Sequence, residues 1–189
     1  NLMQTPKQAV ILCGGLGSRL YPITKTSPKP MVPVMGKPFL EYLLVQLEEQ
    51  GINRFILLTG YLGNIIKEYF GDGSKWGWVI EYSHGPVYWD TGRRLWEVRS
   101  RLDNRFLLMY SDNFIQFNLK KLMRLYQQRD VALGLLLAPK KRGNISVSDE
   151  GEILEYRKDR VGENLNYVEV GYMVVDRDYI FSVYFMNSK

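Results

Sequence analysis

The chain has 189 residues, 46% hydrophobic and 24% charged, which is room for one domain with a core of its own and excludes disordered, collagen-like and coiled-coil classes. A formal charge of +5 suits a protein that handles phosphates. Because the cations are dispersed, with a short basic run only at 140–142, a small phosphorylated ligand is preferred over nucleic acid.

Apolar runs such as 9–13 and 133–138 fall far below the roughly 18 residues of a membrane span. The single cysteine, Cys13, allows neither an internal disulfide nor a cysteine zinc cluster, so a reducing cytoplasm is the expected compartment and no membrane partner is expected. In chain order, 8–13 is an apolar run ending abruptly in glycines, as a buried strand does. The glycine loop that follows predicts a helix start. Pro38 begins a helix with Leu40, Leu43, Leu44 and Leu47 on one face and Gly51 closing it. Residues 54–59 predict a strand, and Leu62, Ile65, Ile66, Tyr69 and Phe70 carry the spacing of an amphipathic helix. A strand at 78–83, a helix at 92–102, a strand at 106–110 and a helix at 119–128 continue the alternation.

That rhythm predicts an α/β fold, a Rossmann-like, mostly parallel sheet with helices on both faces. Beyond Val131 the pattern changes to strands at 131–138, 144–147, 153–156 and 168–175 joined by short polar turns, read as strands added at the sheet edge plus a small antiparallel lobe. One domain spanning 1–189 is expected. In open sheets of this kind ligands sit outside the carboxyl ends of the strands, which brings forward the loops after Cys13, Thr59 and Tyr110.

The first of these loops reads Gly14-Gly15-Leu16-Gly17-Ser18-Arg19-Leu20. Glycines let a backbone approach a phosphate, and successive N–H groups supply donors, with a helix start adding partial positive charge. The dinucleotide fingerprint is excluded because its third glycine is absent, and the P-loop because no Gly-Lys-Ser/Thr follows. By itself the loop also reads as a tight strand-to-helix turn. Arg19 adds a cation suited to bidentate phosphate contact. In Ser27-Pro28-Lys29-Pro30, the prolines restrict the backbone around Lys29 and disfavour helix there, which aims the lysine; the alternative is an exposed lysine in a proline-rich turn. Asp112, in Tyr110-Ser111-Asp112-Asn113 after an apolar strand, is a carboxylate that Mg²⁺ bridging phosphates would partner, or a cap for the following turn.

Together, 14–24, 27–34 and Gly36-Lys37-Pro38 resemble the signature of the sugar-1-phosphate nucleotidyltransferases, nearest in flavour to heptose- and mannose-1-phosphate guanylyltransferases and glucose-1-phosphate cytidylyltransferases. The resemblance implies attack of a sugar 1-phosphate on the α-phosphorus of a nucleoside triphosphate, with pyrophosphate released and Mg²⁺ as cofactor. It implies that Gly14, Gly15, Leu16, Gly17, Ser18 and Gly92 bind the nucleotide. Arg19, Lys29 and Asp112 would carry the chemistry, with Asp112 the metal ligand and Lys29 bridging the reacting phosphates. Lys158, Glu169 and Gly171 would bind the sugar phosphate.

Departures from the family pattern are Ser111 for a glycine, Arg93 in the turn near the base, Arg157 and Asp159 beside Lys158, and Glu169 where asparagine is usual. The family's late second aspartate segment is not matched before Lys189, which reads as a chain lacking the C-terminal segment. That absence motivates the alternative function, a non-catalytic sugar-nucleotide-binding or regulatory paralogue. The lone His84 excludes a multi-histidine metal cluster from this chain's own side chains and reads as a loop histidine, and Cys13 as a buried small hydrophobe. Tyr179, Phe181, Tyr184 and Phe185 read as core or as an interface, leaving a homo-oligomer open.

Overall fold

A computed structural model describes residues 5–129 and 131–187, which form two compact units, one of residues up to Gly134 together with those from Met173 onward, the other Leu135–Tyr172.

In the first unit, β1 (Gln8–Cys13) leads into three single 3-10 turns, Ser18–Leu20, Ile23–Lys25 and Lys29–Met31, and then a two-stranded hairpin of β2 (Pro33–Val34) and β3 (Lys37–Pro38). The α-helix expected after the glycine loop is not formed. A helix begun at Ser18 would carry Pro22 in its second turn, where the missing N–H and the ring both oppose it. The partial charge of a helix terminus is therefore removed from the loop's account, and a lone 3-10 turn begins on Lys29 itself.

The expected elements then follow: α1 (Phe39–Glu49), β4 (Arg54–Thr59), α2 (Gly63–Phe70), β5 (Val79–His84), α3 (Thr91–Glu97), β6 (Arg105–Tyr110) and α4 (Leu119–Gln127). Asp90 starts α3 by accepting from the Arg93 N–H at 2.7 Å, and Asn118 starts α4 by accepting from that of Lys121 at 2.9 Å. The helix expected to reach residue 102 ends at Glu97, and Arg99–Arg101 form a separate 3-10 turn.

β4 lies between β5 and β1, and β1 between β4 and β6, every pair parallel. Val10, Ile56, Leu58, Phe106 and Leu108 turn to one face, where Leu95, Val98, Leu102 and Val175 pack on them. The alternate residues Ala9, Ile11, Phe55, Leu57, Leu107 and Met109 are at most 1% exposed, so the other face is covered as well. Burial on both faces is what a parallel sheet requires, and it is why these strands read as unbroken apolar runs.

The chain passes through β7 (Leu133–Pro139) into the second unit, where β8 (Ile145–Val147) pairs antiparallel with β9 (Ile153–Tyr156) and with Tyr167 of β10 (Tyr167–Asp176). This is the expected antiparallel lobe. Its closest packing is at Gly143, where a Cβ would stand 2.2 Å from the Tyr167 carbonyl oxygen, so only glycine fits. The last element, α5 (Arg177–Asn187), starts where Asp176 accepts from the Tyr179 N–H at 3.0 Å. Ile180 and Phe181 pack against the cluster that holds Val10, so the aromatic end of the sequence is in part core; the side chains of Tyr184 and Phe185 lie outside the described residues. Among the described residues no helix is long and apolar enough to cross a membrane.

Candidate active site

The loop after β1 uses its glycines in different ways. A Cβ at Gly14 would stand 2.8 Å from the Arg94 guanidinium carbon. Gly17 sits in the left-handed region at φ 63° with its carbonyl accepting from the Thr24 hydroxyl at 2.7 Å, and a Cβ there would meet Thr24 at 3.0 Å and the Lys29 Cβ at 3.1 Å. Gly15 faces open space, with nothing within 4 Å of an added Cβ. The loop is thus clamped at both ends and open in the middle.

That opening belongs to a cavity of about 500 Å³, within the range of small-molecule sites. Gly14, Gly15, Gly17, Ser18, Arg19, Lys29 and Asp112 all line it, so the residues expected to bind the triphosphate and carry the chemistry converge on one space. Leu16 lies between Gly15 and Gly17 with 43% of its surface exposed, and Gly92 sits in the first turn of α3 beside Thr91, which lines the cavity.

Lys29 and Asp112 come from different segments, one after the glycine loop and the other just past β6. Their charged atoms are 3.9 Å apart and their side chains 40% and 49% exposed. A pair that exposed is worth ~0.2–1 kcal/mol, so an anionic ligand could part it at small cost. Arg19 is exposed and forms no ion pair among the described residues. Ser111, which replaces the usual glycine, turns its hydroxyl onto the Leu12 carbonyl at 2.6 Å and ties the end of β6 to that of β1.

Sequence reasoning missed Arg94. It is 6% exposed, lines the same cavity, and donates to the carbonyls of Trp89, Thr59 and Pro86. Burial lowers its affinity for the proton, yet a guanidinium keeps its charge at neutral pH. The available signal was the doubled Arg93-Arg94 in a turn where the family pattern has small residues. Arg93 itself turns away to Glu97 at 2.6 Å and lies over the Trp89 ring. Asp90, the second carboxylate on the cavity, is engaged in capping α3.

Cys13 is buried beneath the loop, 1% exposed. Burial pushes its thiol from 9.0 up to about 12, against smaller opposing effects of Ser111 and Arg94; it is the inert small hydrophobe expected. His84 is not in a loop but ends β5, its Nδ1 3.3 Å from the Thr59 hydroxyl.

In the second unit, Lys158 is exposed in a turn, flanked by Arg157 and Asp159, which bind each other through two hydrogen bonds of 3.2 and 2.9 Å. That contact holds the Asp159 carboxyl down at about 2. The two residues that depart from the family pattern here thus neutralise one another. Glu169 accepts from the N–H of Gly171, whose φ of +85° favours glycine. The run 140–142 is an exposed turn.

The nucleotidyl transferase family matches residues 8–147. The chain is 32% identical over 182 residues to D-glycero-alpha-D-manno-heptose 1-phosphate guanylyltransferase of Campylobacter jejuni, covering 96% of this chain and 81% of that one. It is 30% identical over 177 residues to mannose-1-phosphate guanylyltransferase of Mycobacterium tuberculosis, covering 91% of this chain but only 49% of that relative. Among solved structures, HddC from Yersinia pseudotuberculosis shares the fold with a TM-score of 0.74 at 23% identity, over 93% of this chain and 79% of that one.

Proposed function

The chain belongs to the nucleotidyl transferase family, among its sugar-1-phosphate nucleotidyltransferases, and we propose that it transfers a guanylyl group to a heptose or mannose 1-phosphate in nucleotide-sugar biosynthesis. The choice of base and sugar rests on the two guanylyltransferase relatives; cytidylyl transfer to glucose 1-phosphate is the second reading, from a 34% identical relative of that name in Bacillus subtilis. The observation that carries the reading is the convergence of Gly14, Gly15, Gly17, Ser18, Arg19, Lys29 and Asp112 on one cavity of about 500 Å³. A reducing cytoplasm fits the buried, lone Cys13.

Nucleotidyl transfer needs alignment and charge neutralisation more than covalent help. In the proposed division of work, the open stretch at Gly15 lets the triphosphate approach the backbone, and Arg19 grips it from the rim. Lys29, packed against Gly17, faces the oxygens of the two reacting phosphates.

A divalent metal is general in the family, and Mg²⁺ is the proposed ion. Among the described residues no group of three or more His, Cys, Asp or Glu could hold a metal unaided. Mg²⁺ is commonly bound by one or two carboxylates plus substrate phosphates, and Asp112, exposed on the cavity, fits that role. When bound, the ion neutralises phosphate charge.

Pyrophosphate release measured across four nucleoside triphosphates and a panel of sugar 1-phosphates, with Mg²⁺, tests the proposal. Turnover with GTP and a manno-configured sugar 1-phosphate is expected. Turnover confined to another base would replace the guanylyl assignment, and nucleotide binding without any pyrophosphate release would favour the non-catalytic binder.

A further inference from the structure

Arg94 has no part in that division of work, and its surroundings are unusual for a buried charge. Its Nε donates to the Trp89 carbonyl at 3.2 Å, Nη1 to that of Thr59 at 2.9 Å and Nη2 to that of Pro86 at 2.8 Å. Thr59 ends β4, Pro86 follows β5 and Trp89 precedes α3, so one side chain fastens backbone from separate parts of the sheet's carboxyl edge. Gly14, just past β1, lies against the same group, and Gly60 against both: a Cβ at Gly60 would stand 2.8 Å from the Gly14 oxygen and 3.2 Å from Arg94 Nη2.

No carboxylate among the described residues pairs with this guanidinium. Burying an ion costs several kcal/mol, and neutral carbonyls return only part of it. An amide side chain has two N–H donors and could make two of these three bonds without burying a charge. The cation makes sense if its charge is used, and the space it lines is the phosphate cavity.

Resting on the nucleotidyl-transfer reading, we infer that Arg94 is a positioning residue for the triphosphate. It holds the first glycine of the loop in place and leaves an uncompensated positive charge on the cavity wall. Arg19 and Lys29 meet the phosphates from flexible, exposed side chains; Arg94 supplies a field that needs no reorganisation when the ligand arrives.

Arg94→Gln, with two N–H donors, and Arg94→Lys, with three on one nitrogen, each keep part of the fastening, and only lysine keeps the cation. Inorganic tripolyphosphate is titrated calorimetrically into each at low and high salt, with the melting temperature taken on the same samples. Arg94→Gln should bind about tenfold or more weakly with a flatter salt dependence, whereas Arg94→Lys stays within about fivefold of the parent. Equal losses in the two variants would show a merely structural role and overturn the inference, as would undiminished binding by Arg94→Gln. If Arg94→Gln does not fold, Arg94→Lys decides alone: a loss beyond about fivefold overturns the inference and a smaller one supports it. A parent protein that fails to bind tripolyphosphate removes the triphosphate reading itself; tight parental binding with equal losses in the variants removes only the role of Arg94.

Discussion

Two arginines line the same cavity and are held in opposite ways. Arg19 sits on the rim, exposed and without an ion pair among the described residues, while Arg94 is 6% exposed and donates to three backbone carbonyls. Rim and floor differ likewise in their other members: Lys29 and Asp112 form a loose pair of half-exposed side chains, whereas Ser111 and Gly14 are packed against main chain and guanidinium. On the proposed reading, the division is between groups free to follow a reacting ligand and groups that fix where it lies. Rim substitutions should therefore cost rate and little stability, and floor substitutions should cost stability as well.

The largest effect is expected on the rim. Arg19→Ala and Lys29→Ala should each lower turnover by about 10²-fold or more, the cost of losing one donor to transition-state charge, with melting temperature nearly unchanged. Unaltered pyrophosphate release in either variant would take that residue out of the site. Asp112→Asn comes next: the Mg²⁺ concentration for half-maximal activity should rise about tenfold or more, by loss of a charged oxygen ligand. A normal metal titration would place the ion elsewhere.

On the floor, Gly14→Ala drives a methyl group to 2.8 Å from the Arg94 carbon, so the guanidinium or the loop must shift. Overpacking of this kind costs ~1–3 kcal/mol, which calorimetry should read as a fall of roughly 2–4 °C per kcal/mol. Gly15→Ala meets open space, and its melting temperature should stay near that of the parent. If the two glycine variants melted alike, the distinction between clamped and open loop positions would fail.

The smallest effect concerns Cys13. The folded chain keeps the thiol proton up to about pH 12, while the unfolded chain releases it near the ordinary 9.0. Between those values unfolding releases a proton, so stability falls as pH rises, by at most ~1.4 kcal/mol per unit. Denaturant titrations at pH 8, 9 and 10 should show this slope in the parent and its loss in Cys13→Ala; an unchanged slope in the variant would assign it to other groups.

The rim was readable from the sequence because its signal is contiguous. Glycines, Arg19 and the proline-flanked Lys29 lie within a short stretch, and Asp112 follows an apolar strand. Arg94 on the floor was not, because it meets its partners only when the ends of β1, β4 and β5 are brought side by side, which no local pattern states. The helix expected at Ser18 failed for a local reason that was visible in Pro22. Conversely α5 was overlooked since its aromatic residues lack a clean helical stripe, and its start depends on Asp176 as cap. The 3.6-residue period located α1 to α4, which bury one face, and unbroken apolar runs located the long parallel strands, which bury both.

Val175 packs in one cluster with Val10, although most of the chain lies between them in sequence. As the polypeptide is synthesised, the parallel strands β1, β4, β5 and β6 are available long before the stretch from Met173 that seals this cluster. A nascent or late-truncated chain would therefore present a bare apolar patch over Val10, Ile56 and Phe106, and long-range closure of this kind is slow. Chains arrested just short of Met173 should accumulate with chaperones or as inclusion bodies, a vulnerability set by topology and not by the chemistry of the cavity.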